Sequence, residues 1–307
     1  MKRSMTKPLL NEEQPTQIRR YVFAIACGTS WLLYFHRYMF ALIKPRLAEQ
    51  WDLGTHELGL LDGAFSLAYT AFQIPIGVAT DFIGVHLILT VMIVVWSIAL
   101  GMHAWAPNVK YMWFARAALG LGQSAAFAAQ SRITRTWFPS AVRTTVQGWV
   151  GVFFGRFGGL SANLLIGSLL LGIFGFPWRT VAYVMMGVGI AHAFLFAMVF
   201  RNSPTNHPAV NEAEAALIAD ENSLTKPTGK QPRIGFRQMF RGMSPRAIVN
   251  LLALNIQTIL STVADNIFSA WIPLFLWQVH DLRFKEMGFY SALPLLGGAL
   301  GGAVGGW

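Results

Sequence analysis

Cysteine is nearly absent from this chain, and charge is scarce. One cysteine, Cys27, stands among 307 residues, which excludes an internal disulfide and any cysteine-based metal site. Only 12% of the residues are charged, where soluble domains carry roughly a quarter. Acidic residues are the scarcer sign, 14 against 24 Lys and Arg. HExxH, GxSxG and P-loop patterns are missing, and no nucleophile–base pair falls within the apolar runs. No enzyme, cofactor or metal is therefore expected. Residues 1–20 are polar and lack an apolar h-region, so no cleavable signal peptide is expected and the first span serves as the insertion signal.

What the chain does have is apolar length. Hydrophobic residues make up 54%. A hydrocarbon core of about 30 Å needs roughly 20 apolar residues in a helix. Runs of that kind lie at 21–43, 57–80, 87–107, 111–133, 144–172, 179–200, 246–277 and 286–307. The expectation is an all-α polytopic membrane protein in a lipid bilayer. The net charge of +10 reads as orientation rather than nucleic-acid binding. With the N-terminus in the cytoplasm, fifteen Lys and Arg fall inside and six, Lys44 among them, fall outside. Arg37, Arg116 and Arg156 remain within spans. That asymmetry predicts an N-in protein of the inner membrane.

The organisation is a cytoplasmic tail (1–20), a six-span bundle (21–200), a cytoplasmic linker (201–245) and two further spans (246–307). Within the linker, NEAEAALIADEN reads as a short amphipathic helix. A faint repeat recurs at an offset of 229 residues. Asp52-Leu53 returns as Asp281-Leu282, Glu57 and Gly59 as Glu286 and Gly288, and Gly77 as Gly306. Duplicated halves of this kind characterise transporters. The repeat predicts four more spans, so the chain reads as C-terminally incomplete. GGALGG at 297–302 reads as small residues for close helix packing.

Arginine inside a span costs about 2.5–3.5 kcal/mol at the helix centre, so three such residues are expected to face a polar cavity. Their spacing agrees. Ser30, Tyr34 and Arg37 share one face; so do Arg116, Gly120, Gln123, Phe127 and Gln130. Arg156 and Asn163 are seven apart, and Asn255, Thr258, Thr262, Asp265 and Ser269 form a stripe.

At these residues the chain resembles the major facilitator superfamily, and within it the anion:cation symporter family, with the organophosphate antiporters as near relatives. Tyr34-Phe35-His36-Arg37 and Pro45 are similar to Y-x-D-R…P. Ser66, Tyr69, Gln73, Pro75, Gly77, Asp81 and Gly84 follow the pattern of span 2 and its loop. Arg116, Gly120 and Gly122 match R-x-x-x-G-x-G, and Trp137-Phe138-Pro139 with Arg143 match W-F-P-x-x-x-R. Trp178-Arg179, HPAVNEAE, Trp271-Ile272-Pro273 and Lys285-Glu286-x-Gly288 also fit. The resemblance implies a complete six-helix first half, the first two helices of a second half, and alternating access.

The departures concern charge. His36 and Gln123 stand where the resembled family has Asp and Glu, and Arg156 stands where it has small residues. Two changes remove negative charge from the cavity and one adds positive charge, which suits an anionic solute. The expected substrate is a sugar acid or other carboxylate, with proton-coupled symport as the expected coupling. A solute sensor of the same fold, or an organophosphate exchanger, is the alternative. Arg37 is the expected anion anchor, with Tyr34, Tyr69, Gln73, Gln123, Arg156 and Asn163 completing the substrate site. His36, Asp265 and Arg116 are the proton-coupling candidates, and Gly77, Asp81 and Gly84 are gating or structural. A second possibility for Arg37 is a helix-locking pair with Asp265.

Overall fold

The computed structural model describes residues 14–223 and 243–304. Gly306 of the repeat and the linker cations between Lys226 and Arg241 lie outside the described residues. Those described form helices and connections, with no strand among them. Eight long helical segments run where eight spans are expected. They are α1 (Ile18–Trp51), α2 (Thr55–Ile83), α3 (Val85–Trp105), the pair α4 (Val109–Gln123) and α5 (Ala126–Trp137), a composite fifth span, α8 (Trp178–Val199), α10 (Pro245–His280) and α11 (Phe284–Val304). The linker helix appears as α9 (Glu212–Ser223). Four segments are apolar and long enough to cross a membrane unaided: α3, the fifth span, α8 and α10. Among the others, α4 and α5 are too short singly, at 15 and 12 residues, because the fourth span is broken in two.

Two spans are less regular than their periodicity suggests. The fourth breaks at Ser124–Ala125, where the Ser124 hydroxyl donates to the Leu121 carbonyl at 2.7 Å and diverts it from the helix ladder. The fifth comprises α6 (Arg143–Gln147), π-turns at Gly148–Phe153, α7 (Phe154–Ser161) and further π-turns at Ala162–Ile173. Such π-turns concentrate at functional sites, and here they flank the segment that carries Arg156.

Glycine sets the closest helix approach. A Cβ at Gly122 would stand 2.6 Å from the Trp96 backbone nitrogen of α3, and one at Gly120 would meet the Phe65 carbonyl of α2. The R-x-x-x-G-x-G pattern thus wedges α4 between α2 and α3 and holds Arg116 near the middle of the bundle. Trp96 at this contact is fully buried, as are Trp137, Phe196, Leu42 and Leu47 elsewhere among the helices.

The repeat has a conformational counterpart. Asp52 and Asp281 both close their helices in the left-handed region, each at φ 50°, with backbone N–H groups donating to Ala48 and Leu276. A short side chain that tolerates positive φ is suited to that position. Beyond Asp281, α11 packs along the fifth span, where Gly167 sits against Gly288 and Gly172 against Lys285. By contrast α10 meets α1 near Ala270–Leu274, and its only buried residues are Pro273 and Leu274. Most of Pro245–Phe268 is exposed.

Candidate functional site

Arg37 occupies a cage. Its guanidinium lies 5.1 Å from the Tyr34 ring centre, 4.9 Å from Phe65 and 5.1 Å from Tyr69. Three aromatic faces stabilise the cation without neutralising it. Nε donates to the Gln123 carbonyl oxygen at 3.0 Å, and the Gln123 amide donates to the Leu33 carbonyl at 3.0 Å. Gln123 therefore aims the guanidinium while leaving its charge intact, which a carboxylate there would not do. Among the described residues no carboxylate lies within ion-pair distance of Arg37. Its Nη2 is buried and lacks an acceptor.

Arg116 shares this cavity. Nε donates to the Leu61 carbonyl at 3.2 Å and Nη2 to Asp62 Oδ1 at 3.1 Å. The guanidinium rests 4.0 Å from the Phe40 ring centre. Its Nη1 is a second buried donor without an acceptor. Arg37, Asp62, Ser66, Arg116, Asn266 and Trp271 line a cavity of about 320 Å³ between the first bundle and α10. Arg37 and Arg116 thus both line this cavity, and each keeps one buried guanidinium donor without an acceptor, an arrangement suited to a planar or tetrahedral oxyanion.

A smaller cavity of about 230 Å³ adjoins it, with Tyr38 and Ser269 lining both. Arg156 and Asn163 line it from the fifth span, Asp265 from α10 and Ser291 from α11. Arg156 Nη2 donates to Asp265 Oδ2 at 2.5 Å. This pairing replaces the Arg37–Asp265 alternative: Asp265 is committed to Arg156, and Arg37 keeps Gln123 as its hydrogen-bond partner. Asn163 donates to the Gly159 carbonyl at 2.9 Å, and its Oδ1 and the Ser291 hydroxyl are buried without partners.

Other expected residues sit elsewhere. His36 is fully buried with both ring nitrogens unpartnered, and it packs toward Gly189 of α8, so it faces the bundle interior. One residue along a helix turns the side chain by about 100°, which separates it from Arg37. Gln73 is exposed on α2 and lines neither cavity. Asp81 pairs with Arg132 of α5 inside the first bundle. Gly84 makes the α2–α3 turn at φ 103° over Asn202, and Gly77 packs near Ala128 of α5.

Two residues escaped the sequence reading. Lys44, counted as an outside cation, is 0% exposed and donates to Asp62 Oδ2 at 2.5 Å and to the Ala270 carbonyl at 2.8 Å. Asp62 was legible in principle, since it precedes Ser66 and Tyr69 by four and seven positions on one face of α2. Lys44 lies seven beyond Arg37 on α1.

Known proteins resemble this chain in sequence and in fold. The sequence is 26% identical over 294 residues to a probable sulfoacetate transporter, SauU, of Cupriavidus necator, covering 96% of this chain and 65% of that protein. It is 24% identical to the hexuronate transporter of Escherichia coli K12, covering 94% and 65%. To a probable galactarate/D-glucarate transporter, GudP, of Bacillus subtilis it is 27% identical, covering 95% and 64%. The chain thus spans about two thirds of the length of these relatives or slightly less. The fold matches the crystal structure of a bacterial homolog of the human lysosomal transporter Spinster, inward-facing and unoccupied. That match has a TM-score of 0.72 at 19% identity, over 91% of this chain and 60% of that one. The sequence pattern of the Major Facilitator Superfamily extends over residues 26–307, and the chain, an all-helical polytopic membrane protein, belongs to that family.

Proposed function

We propose that this protein carries a small organic anion, a sugar acid or a short carboxylate or sulfonate, across the inner membrane by alternating access, with Arg37 as its anchor. The observation that carries this reading is that the two arginines lining one cavity, Arg37 and Arg116, each keep a buried guanidinium donor, Nη2 and Nη1, without an acceptor. A buried polar group without a partner is costly, and a bound oxyanion supplies the missing acceptors. The relatives named for sulfoacetate, hexuronate and galactarate or D-glucarate support the same solute class. Tyr34, Tyr69 and Gln123 hold the anchor, while Asn163 with Arg156 offers polar contacts for the far end of the solute.

In this reading residues 1–20 and 201–245 are cytoplasmic, 21–200 form one bundle, and 246–307 begin a second. The Lys and Arg asymmetry supports that orientation.

The test is binding and counterflow of sulfoacetate, D-glucuronate and galactarate in proteoliposomes holding the purified chain. Arg37→Ala is expected to weaken binding by about 10- to 100-fold, the worth of a charge-assisted hydrogen-bond pair. Unchanged affinity in that variant would sink the anchor. Binding without counterflow would assign the protein to solute sensing.

A further inference from the structure

We propose that Asp62 is the proton-binding carboxylate of this protein, and that its protonation releases Lys44 and with it the junction between α1 and α10. The expected carboxylate positions hold His36 and Gln123, and Asp62 is the only acidic residue lining the Arg37–Arg116 cavity among the described residues. Its two oxygens are divided. Oδ1 accepts from Arg116, on the anion side, and Oδ2 accepts from Lys44, on the α10 side. Lys44 passes the connection on: its ammonium donates to the Ala270 carbonyl and lies 4.1 Å from the Trp271 ring centre. One carboxylate therefore joins the oxyanion receptor to the contact that closes α10 against the first bundle.

The surrounding charges set the direction of coupling. Asp62 is faced by Lys44 and Arg37 from α1 and by Arg116 from α4. His103 of α3 stands behind Phe40, on the Arg116 side. From α10 come only neutral groups, Asn266, the Ala270 carbonyl and Trp271. With the cavity empty, both Asp62 oxygens are held by cations and the latch is shut. An oxyanion on the unmet Arg37 and Arg116 donors competes with Asp62 for Arg116 and offsets the positive field. By linkage, a proton on Asp62 and an anion on those donors then favour each other. A neutral Asp62 leaves the buried Lys44 without a counter-charge, so its hold on Ala270 weakens and α10 separates. The link to an anion rests on the function proposed above; the latch itself does not.

Spin labels at Thr55→Cys and Gln278→Cys, exposed positions at the same end of α2 and α10, read this junction in the full chain with Cys27→Ala. The unsubstituted latch is expected to give a short distance at alkaline pH and a growing long population as pH falls. Asp62→Asn is expected to be long at every pH, and Asp62→Glu to restore titration. Lys44→Met, which removes the other end of the pair, is expected to be long as well. Sulfoacetate should move the unsubstituted transition to higher pH. A short distance in Asp62→Asn, or a titration there like that of the parent, overturns the proposal and shifts attention to the buried histidines. If sulfoacetate, D-glucuronate and galactarate all leave the parent curve unmoved while Asp62→Asn is open, the anion site fails and the latch stands.

Discussion

At the scale of single residues, the distinguishing feature is a cation kept positive. Arg37 has aromatic faces and one amide as neighbours, and the amide is Gln123, where the resembled family has Glu. The chemical difference between those two side chains is testable. Gln123→Glu would place a carboxylate in contact with Arg37 Nε, now 3.0 Å from the amide oxygen. The internal anion then competes with any external one. Affinity for sulfoacetate is expected to fall about tenfold or more at alkaline pH, for the loss of one charge-assisted contact. It should recover in acid, where the introduced carboxyl is protonated. Titration calorimetry at two pH values measures both arms, and equal affinities would show that Gln123 does not protect the charge.

At the scale of elements, two packing devices account for motifs that looked like mere signatures. The first is the α4 wedge. Gly122→Ala pushes a methyl group into the Trp96 backbone and is expected to cost about 1–3 kcal/mol, as overpacking does. Gly148→Ala, whose new carbon meets nothing within 4 Å, is the neutral control. Thermal unfolding in detergent compares them, and equal midpoints would refute the wedge.

The second device is a clasp made by HPAVNEAE. His207 and Val199 share a hydrogen bond of 3.1 Å, with the imidazole edge-on to Trp137. Asn211 donates to the Gln14 carbonyl at 2.8 Å. Glu214 accepts from the Thr16 hydroxyl at 2.6 Å and from the Ile18 and Arg19 amides, capping α1. Burial pushes the Glu214 carboxyl up, but those hydrogen bonds outweigh it and hold its pKa below the ordinary 4.5. A pKa depressed on folding adds stability above the ordinary value and loses it as pH falls through the folded value. The Ile18 and Arg19 amides are therefore expected to stay protected from hydrogen exchange at neutral pH and to lose protection only in acid. Glu214→Ala should remove that protection at any pH, at a cost of about 1 kcal/mol. Protection that survives the substitution would leave the clasp without a role.

At the scale of the molecule, the polar contacts that tie α10 to the first bundle include Lys44–Ala270 and Arg156–Asp265. They differ in surroundings. The Lys44 ammonium is sealed, whereas the side chains of Arg156 and Asp265 are 32% and 55% exposed. An exposed pair contributes little to stability, so Asp265→Asn should fold normally and free a second cation beside the smaller cavity. Galactarate, with a carboxylate at each end, is then expected to gain about two- to fivefold in affinity over D-glucuronate, on the scale of one exposed ion contact. An unchanged ratio would mean that the two cavities do not share a solute.

Sequence by itself determined the class of this protein, because apolar length and scarce charge are one-dimensional properties that a bilayer reads directly. It also determined that Arg37 and Arg116 face a polar interior, since helix periodicity and the cost of a lipid-facing cation admit few other arrangements. Partnership was decided only by tertiary structure. Asp265 lies near Arg156 and away from Arg37 because α10 approaches the fifth span, a distance that no periodicity encodes. His36 turns from the cavity although its neighbour faces it, because a helix separates adjacent residues by rotation and packing selects which face is wet. Lys44 and Asp62 needed the fold most. One looked like a loop cation and the other like an ordinary polar residue until α1, α2, α4 and α10 brought them together.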